Sequence, residues 1–329
     1  MSALAPTLQA FFTDRLARQR HASPETVAAY RDALRLLVCF ASQHVHKPPS
    51  ELSIADLDAT LVASFLDHLE HERRNSVRTR NARLAAVHSL YRYAALRHPE
   101  HAELIQRVLA IPPKRFDRAL ISFLTRQEVA ALLASPDRST WAGRRDYALL
   151  VLAIQTGLRA SELIGLTCGD LHLGSGPHVS CRGKGRKNRI TPLIAGTVAT
   201  LRVWIAERAG GPTEPLFPTH RGRALSRDAV EHRLAKYATA AADRCPSLRS
   251  KRVSAHVLRH TAAMQLLHAD VDASVIALWL GHENVETTQI YLHADLRLKE
   301  QALARTRPAA TKPGRFRPSD SLLAFLESL

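Results

Sequence analysis

The chain has 329 residues and carries 46 Lys and Arg against 30 Asp and Glu, a net charge of +16. Single hydrophobic cores stop growing near about 250 residues, so this length predicts two domains, and 46% hydrophobic with 23% charged residues excludes wholesale disorder. No apolar run approaches the roughly 20 residues that cross a bilayer, no basic segment leads into an apolar core at the N-terminus, and Cys39, Cys168, Cys181 and Cys245 form no Cys-x-x-Cys pair. A cytoplasmic protein whose surface attracts polyanions, nucleic acid first among them, is expected.

Residues 1–110 read as almost entirely helical. Ser23-Pro24 supplies an N-cap followed by proline at the first helical position, and Val27, Tyr30, Leu34, Leu37 and Ala41 fall on one face of the helix that follows. That helix should stop before Lys47-Pro48-Pro49. A second is expected over residues 54–72. A third, over residues 76–97, turns Val77, Leu84, Val87, Tyr91 and Ala94 inward and lines its outer stripe with Arg78, Asn81, Ser89 and Arg92. Arg73, Arg74, Arg78, Arg80 and Arg83 are five arginines within eleven residues, and on a basic protein such a cluster predicts phosphate contacts.

Ile111-Pro112-Pro113 breaks the helical pattern and Thr125-x-x-Glu128 opens a new helix as a capping box, so residues 111–121 read as a linker and residues 122–307 as a second domain. Within it, the alternation and central glycines of residues 178–193 predict a β-hairpin. Beyond residue 307 the chain is a Pro- and Lys-containing link ending in a short amphipathic helix over 319–329, giving a tail of residues 308–329.

Four segments of the second half carry residues suited to phosphate chemistry. In residues 156–163, Thr-Gly-Leu-Arg-Ala-Ser-Glu-Leu, an apolar helix ends at Gly157, Arg159 follows at the turn, and Glu162 is near enough to orient its guanidinium. Residues 182–189, Arg-Gly-Lys-Gly-Arg-Lys-Asn-Arg, put five basic residues in eight at the hairpin tip. In His-Val-Leu-Arg-His, residues 256–260, Ser254 is the expected N-cap, so His256 and Arg259 share a face of the first helical turns, where a phosphate is favoured. His260 is expected to pack inward. In residues 280–293 a helix ends at Gly281, His282 follows, and Tyr291 comes nine residues later on a new short helix. Any one of these has an ordinary structural explanation. Together they provide two arginines to clamp the non-bridging oxygens, a phenol to attack phosphorus, and lysine and histidine to move protons.

In order and approximate spacing, Arg159 in T-G-L-R-x-S-E-L, Lys184 in a basic hairpin, H-x-x-R at His256 and Arg259, L-G-H ending at His282, and Tyr291 resemble the signature of the tyrosine recombinases, the phage integrase-like enzymes. The resemblance runs from residue 23 to about residue 300, because S-P-E-T-V-A-A-Y through R-N-A-R-L-A-A-V-H-S-L-Y-R-Y-A is similar to the family's helical core-binding domain. It implies a mainly α fold with a small β-sheet: a helical SAM-like core-binding domain and a mixed α+β catalytic domain. It implies that Tyr291 attacks the scissile phosphate to leave a 3′-phosphotyrosyl link and a free 5′-hydroxyl. Arg159, His256, Arg259 and His282 then bind the phosphate, Glu162 supports Arg159, and Lys184 is the general acid, with Lys187 as the neighbouring alternative. Arg186, Lys187 and Arg189 join the five N-terminal arginines as expected DNA contacts. No metal, cofactor or ATP is implied. The implied partners are double-stranded DNA and further copies of the chain, a tetramer on two DNA sites, with related recombinases or accessory proteins as further partners. The terminal helix would dock on a neighbouring protomer, the alternative being packing within its own chain.

Three other classes compete. A DNA-binding protein without chemistry would not need the tyrosine alongside both arginine and histidine pairs. A metal nuclease could use His256, His260, His282 and His293, but no H-E-x-x-H or carboxylate-rich cluster accompanies them. A type IB topoisomerase shares the chemistry, and the compact size and helical N-terminal half fit a recombinase better. Whether the task is integration, transposition, resolution or inversion is not written in these motifs.

Overall fold

The computed structural model describes residues 3–116, 121–183 and 188–281, together with Thr288 and Tyr291. It divides into two compact units, Met1–Ala119 and Leu120–Leu329.

The first unit is helical throughout. Helix α1 (Leu4–Ala10) continues into a wider stretch, Phe11–Gln19, closed by a bond from the Arg20 amide to the carbonyl of Arg15, five residues back. Helix α2 (Pro24–Val45) starts where Ser23 Oγ accepts from the Thr26 amide and ends at His46, which is left-handed at φ 55° ahead of the two prolines. The expected helix over 54–72 is instead two elements. Ser53 and Asp56 cap one another around a single 3-10 turn, Ile54–Asp56, and Asp58 then accepts from the Leu61 amide at 2.8 Å to start α3 (Ala59–His71) afresh. Two short polar side chains that compete for backbone amides break what the apolar periodicity would continue. Helices α4 (Val77–Ala94) and α5 (Ala102–Leu109) complete the unit. Its core gathers Phe11, Leu37, Phe65, Leu66, Leu84 and Val87, and the buried Tyr91 hydroxyl donates to the Leu57 carbonyl.

Arg80 requires a correction. It is expected on the phosphate-contacting face, yet it is 5% exposed, its Nη1 donates to Asn81 Oδ1 and to the Pro112 carbonyl at 3.2 Å each, and its Nε lies 4.0 Å from Glu70. Asn81, also expected outward, bonds both the amide and the carbonyl of Lys114. These two residues bind the segment after α5 back onto α4, because the prolines of that segment leave carbonyls that no helix can satisfy. Arg73, Arg74 and Arg78 are exposed and Arg83 is half-buried, so the outward cationic face is smaller than the arginine count suggests.

The second unit packs α6 (Arg126–Leu133), α7 (Trp141–Thr156), α8 (Ala160–Gly165), α9 (Ala195–Arg208), α10 (Arg227–Ala242), α11 (Ala255–His268) and α12 (Ala273–Leu280). Between α8 and α9 lies a three-stranded antiparallel sheet, β1 (Leu171–His172), β2 (His178–Arg182) and β3 (Asn188–Pro192), in that order. The hairpin of β2 and β3 is the expected one; β1 is an addition too short to leave a sequence pattern. In the register Val179 faces Thr191 and Cys181 faces Arg189, so one face of the hairpin carries Val179, Cys181, Arg189 and Thr191. Asp146 stands inside the unit between Arg145, which also reaches the Pro218 carbonyl, and the Tyr237 hydroxyl at 2.7 Å.

The expected capping box opens α6: the Thr125 amide donates to Glu128 Oε2 at 2.7 Å and the Glu128 amide to Thr125 Oγ1. The same carboxylate accepts from Ser247 and from Lys251 Nζ at 2.7 Å each, fastening α6 to the loop that leads into α11. Burial alone would raise this carboxyl, but the bonds from Lys251, Ser247 and the Thr125 amide outweigh it and hold the group below its ordinary value of 4.5. A carboxyl lowered by folding stabilises the fold above its unfolded value and loses that contribution as pH falls through its folded value. We therefore predict that Glu128→Gln costs roughly 1–3 kcal/mol at pH 7, where it leaves the Lys251 ammonium without its anion. Urea unfolding of both proteins at a series of pH values should show the difference shrinking below pH 4.5; a difference independent of pH would disprove the assignment.

Candidate active site

Helix α7 ends at Gly157, which is left-handed at φ 63°; a Cβ there would lie 2.7 Å from Leu280 Cδ2 and 3.0 Å from the Ala262 methyl. Glycine at this point is required both by the turn and by the close approach of α11 and α12. The chain leaves Gly157 so that Arg159 sits at the N-cap of α8. Glu162 then reaches back from the first turn, accepting from the Arg159 amide at 2.8 Å through Oε2 and from Arg159 Nη1 at 2.7 Å through Oε1. The expected support of Arg159 by Glu162 is therefore present, and Arg159 Nη2 donates in addition to the Gly281 carbonyl at 2.9 Å.

Helix α11 starts where Ser254 Oγ accepts from the Val257 amide. One turn in, Arg259 is 4% exposed and directs Nη1 to the Gly157 carbonyl at 2.8 Å and Nη2 to the Leu280 carbonyl at 2.7 Å. Burial lowers the Arg259 pKa to about 10, and the guanidiniums of Arg159 and Arg189 push in the same direction. It remains a cation at neutral pH. Arg159 and Arg259, 100 residues apart in the chain, are thus aimed by the same turn of backbone after α12.

Arg189 also requires a correction. Expected on the DNA-facing hairpin, it points from β3 into this cluster with its side chain 9% exposed, giving Nη2 to Glu162 Oε2 at 2.8 Å and Nη1 to the Leu280 carbonyl. Among the described residues, three guanidiniums and one carboxylate leave this cluster with an excess of two positive charges, which is the electrostatic form of an anion site.

His256 lies exposed on the first turn of α11, its ring 4.1 Å from that of His260 in an edge-on arrangement. His260 does pack inward, as expected, with Nδ1 3.0 Å from the Tyr291 hydroxyl. Tyr291 is 1% exposed and packs against Ala263, Met264, Leu267, Ile276 and Leu280 of α11 and α12. Burial raises its phenol, while Arg259 and Arg159 act to lower it. Lys184, Arg186, Lys187 and His282 lie outside the described residues, as do the surroundings of Tyr291 in sequence and the tail. Among the described residues no helix is long and apolar enough to cross a membrane and no three His, Cys, Asp or Glu side chains are placed to hold a metal ion.

Reading the residues did not anticipate the inward turn of Arg189 or its link to Glu162. The available signal was periodicity: Cys181, Arg189 and Thr191 share the face that Val179 buries. That alternation contradicts side-chain hydropathy, since Ile190 is the exposed neighbour.

Two family models match, the phage integrase family over residues 122–297 and the phage integrase N-terminal SAM-like domain over residues 10–98. The chain belongs to the phage integrase family, the tyrosine recombinases. Among curated relatives, the Sinorhizobium fredii protein y4rC, whose name describes an integrase/recombinase, is 56% identical over 328 residues, covering 100% of this chain and 99% of that one. The tyrosine recombinase XerC of Pelobacter propionicus is 33% identical over 311 residues, covering 91% and 94%. Among solved structures, the XerH site-specific recombinase bound to difH matches with a TM-score of 0.67 at 23% identity over 87% of this chain and 81% of that one. The Tn1549 transposon integrase matches with a TM-score of 0.67 at 17% identity over 91% and 98%. At such identities these structures establish the fold.

Because one carboxylate holds both Arg159 and Arg189, Glu162→Gln should disturb both: the amide keeps one acceptor oxygen and turns N–H donors toward a guanidinium. We predict that strand cleavage falls at least about tenfold, since a misplaced clamp loses transition-state stabilisation, while duplex affinity changes less than about threefold because most phosphate contacts lie elsewhere. Single-turnover cleavage and binding, measured on the same duplex, test this; equal losses in both would show Glu162 to be merely part of the binding surface.

Proposed function

We propose that Tyr291, Arg159 and Arg259 form the reacting centre of this tyrosine-type site-specific DNA recombinase, with His256 and His282 as further phosphate ligands and Lys184 as the proton donor. Family membership establishes the class of reaction, cleavage and rejoining of DNA strands through a covalent phosphotyrosyl intermediate. The assignment of roles to residues is our reading. The observation that carries it is that Tyr291 packs on the same two helices, α11 and α12, whose residues and terminal carbonyls aim Arg259 and Arg159.

The Tyr291 oxygen attacks phosphorus and its proton leaves to a nearby base; the P–O5′ bond breaks, and the 5′-oxygen takes a proton as it departs. Negative charge grows on the non-bridging oxygens, where Arg159 and Arg259 are preorganised in a pocket with excess positive charge. A 5′-hydroxyl of the partner duplex reverses the step. One phosphoester bond is made for each one broken, so the strand's bond energy is conserved and neither ATP nor a metal ion enters the balance. Lys184, glycine-flanked at the hairpin tip, suits the leaving oxygen, with Lys187 as the alternative. Arg73, Arg74, Arg78, Arg83, Arg186 and Lys187 are assigned to the DNA backbone; Arg80 and Arg189 are removed from that set. Cytoplasmic action on double-stranded DNA as a tetramer bridging two sites completes the reading; the match to XerH, a site-specific recombinase bound to its difH substrate, supports the DNA partner.

Tyr291→Phe removes one oxygen and leaves the basic surface unchanged. It should bind its duplex normally and form no covalent complex, whereas the wild type should accumulate a 3′-phosphotyrosine on a nicked suicide duplex, with EDTA present and ATP absent. An adduct mapped to another residue, cleavage by the phenylalanine variant, or sensitivity to EDTA would each refute the corresponding claim.

Residues 319–329 carry Leu322, Leu323, Phe325, Leu326 and Leu329, too apolar a set for a free tail. We assign them to docking on a neighbouring protomer. Deleting residues 315–329 should weaken synapsis of two sites and leave single-site binding intact; unchanged recombination by the truncated protein would exclude this role.

A further inference from the structure

A phenol becomes a nucleophile only as its proton leaves, so a base has to stand at the Tyr291 hydroxyl. The apolar side chains packed on the ring, Ala263, Met264, Leu267, Ile276 and Leu280, cannot take a proton. Arg259 and Arg159 act to lower the phenol against the rise that burial causes, but as cations they accept nothing. His260 differs from all of these. Its Nδ1 lies 3.0 Å from the phenol oxygen, within the roughly 2.6–3.2 Å across which a general base takes a proton, and its ring is buried in the same pocket.

The order of residues on α11 explains this placement. His256, Arg259 and His260 stand at i, i+3 and i+4 and therefore share one face of the helix. Arg259 is aimed from that face by the Gly157 and Leu280 carbonyls. The His260 ring is set between two others: the His256 ring at 4.1 Å and 63° on one side, and the Tyr291 ring at 5.4 Å and 68° on the other. Edge-on contacts of this kind restrict the plane of the imidazole and so the direction of Nδ1. One helix face thus presents a guanidinium to the phosphate and an imidazole to the phenol. A weak oxygen nucleophile with a base in hydrogen-bond reach, the base itself oriented by a third group, is the general arrangement for activating such an oxygen.

We propose that His260 is the general base of strand cleavage, taking the phenol proton of Tyr291 onto Nδ1 as the phenol oxygen bonds to phosphorus. This role rests on the reading of Tyr291 as the nucleophile. The phenol O–H bond breaks as the N–H bond forms, while the new O–P bond replaces the P–O5′ bond and the departing 5′-oxygen takes its proton from a separate donor. The ring enters neutral, with its own proton on Nε2, and becomes an imidazolium. In rejoining, a 5′-hydroxyl attacks phosphorus, the bond to the Tyr291 oxygen breaks, and Nδ1 returns the proton to that oxygen. His260 ends as it began, and no co-reactant is consumed.

The test measures single-turnover cleavage of a nicked suicide duplex by the full chain, with position 291 carrying either tyrosine or a ring-fluorinated tyrosine whose phenol is more acidic. His260→Asn keeps a polar group beside the phenol but cannot take its proton. With tyrosine, this variant should cleave at least about 100-fold more slowly than wild type, the lower end of the roughly 10²–10⁴ that a positioned base supplies. Duplex affinity should stay within about threefold. The more acidic phenol depends less on a base, so with it the gap between variant and wild type should narrow by at least about tenfold. His260→Gln should behave in the same way and carries the test if the asparagine variant does not fold. A smaller deficit overturns the proposal, and so does a gap of the same size with both phenols, because a ring that only supports the fold slows both equally. His256→Asn runs alongside: a gap that narrows for it and not for the position 260 variants would make His256 the base. Failure of the Tyr291 reading shows separately, since the wild-type adduct would then map to another residue and Tyr291→Phe would cleave, whatever the histidine variants do.

Discussion

The end of one short helix organises the candidate site. Helix α12 stops at Gly281, and its last carbonyls have no amide to accept from within the helix. Arg259 and Arg189 donate to the Leu280 carbonyl and Arg159 to the Gly281 carbonyl. Segments far apart in sequence are thereby drawn to one point, and a local backbone deficit becomes the reference against which the clamp is aligned. Since the negative end of a helix favours cations, the arrangement also offsets part of the cost of bringing three guanidiniums together.

The electrostatic balance separates this cluster from the other buried cations. Arg145 shares Asp146 with Arg233, Arg80 shares Glu70 with Lys114, and Lys251 pairs with Glu128. In the first two, the extra cation is a partly exposed side chain that water can solvate. At the candidate site Glu162 pairs with Arg159 and Arg189, while the hydrogen bonds described for Arg259, among the most buried of the set, go to backbone carbonyls. Among the described residues the charge of this cluster is not balanced. On the proposed assignment, a phosphate bearing additional negative charge in the transition state would supply that balance, so the feature that destabilises the folded protein would favour the reaction.

Much of this was legible in sequence where a signal is local. The caps at Ser23, Ser254 and Thr125, the stop at Gly157 and the hairpin all follow from backbone chemistry confined to a few residues, and the resemblance to a family signature pointed to Arg159, Arg259 and Tyr291. What failed was side-chain direction. The arginines at 80 and 189 were placed outward because charge normally favours water, yet both are turned in by loop carbonyls and carboxylates contributed from elsewhere in the fold. The single helix expected over 54–72 failed differently, because Asp56 and Asp58 take up amides that the apolar pattern assigned to a continuous helix.

His260 shows how a correct reading of burial can still miss a partner. A histidine on an apolar face needs a partner, and the expectation of an inward, satisfied ring was sound. The partner is the Tyr291 hydroxyl, a residue 31 positions away whose helix could not be docked on α11 from sequence. The contact has a physical consequence for both groups. The phenol, whose pKa burial raises, stands at hydrogen-bond distance from His260 Nδ1, a polar contact that the apolar side chains around it cannot supply. Tyr291→Phe would remove one partner of this contact, and His260→Leu would remove the other while leaving the phenol in place. The pocket formed by Ala263, Met264, Leu267, Ile276 and Leu280 therefore holds the tyrosine by its ring, while the polar contact with His260 fixes where its oxygen points.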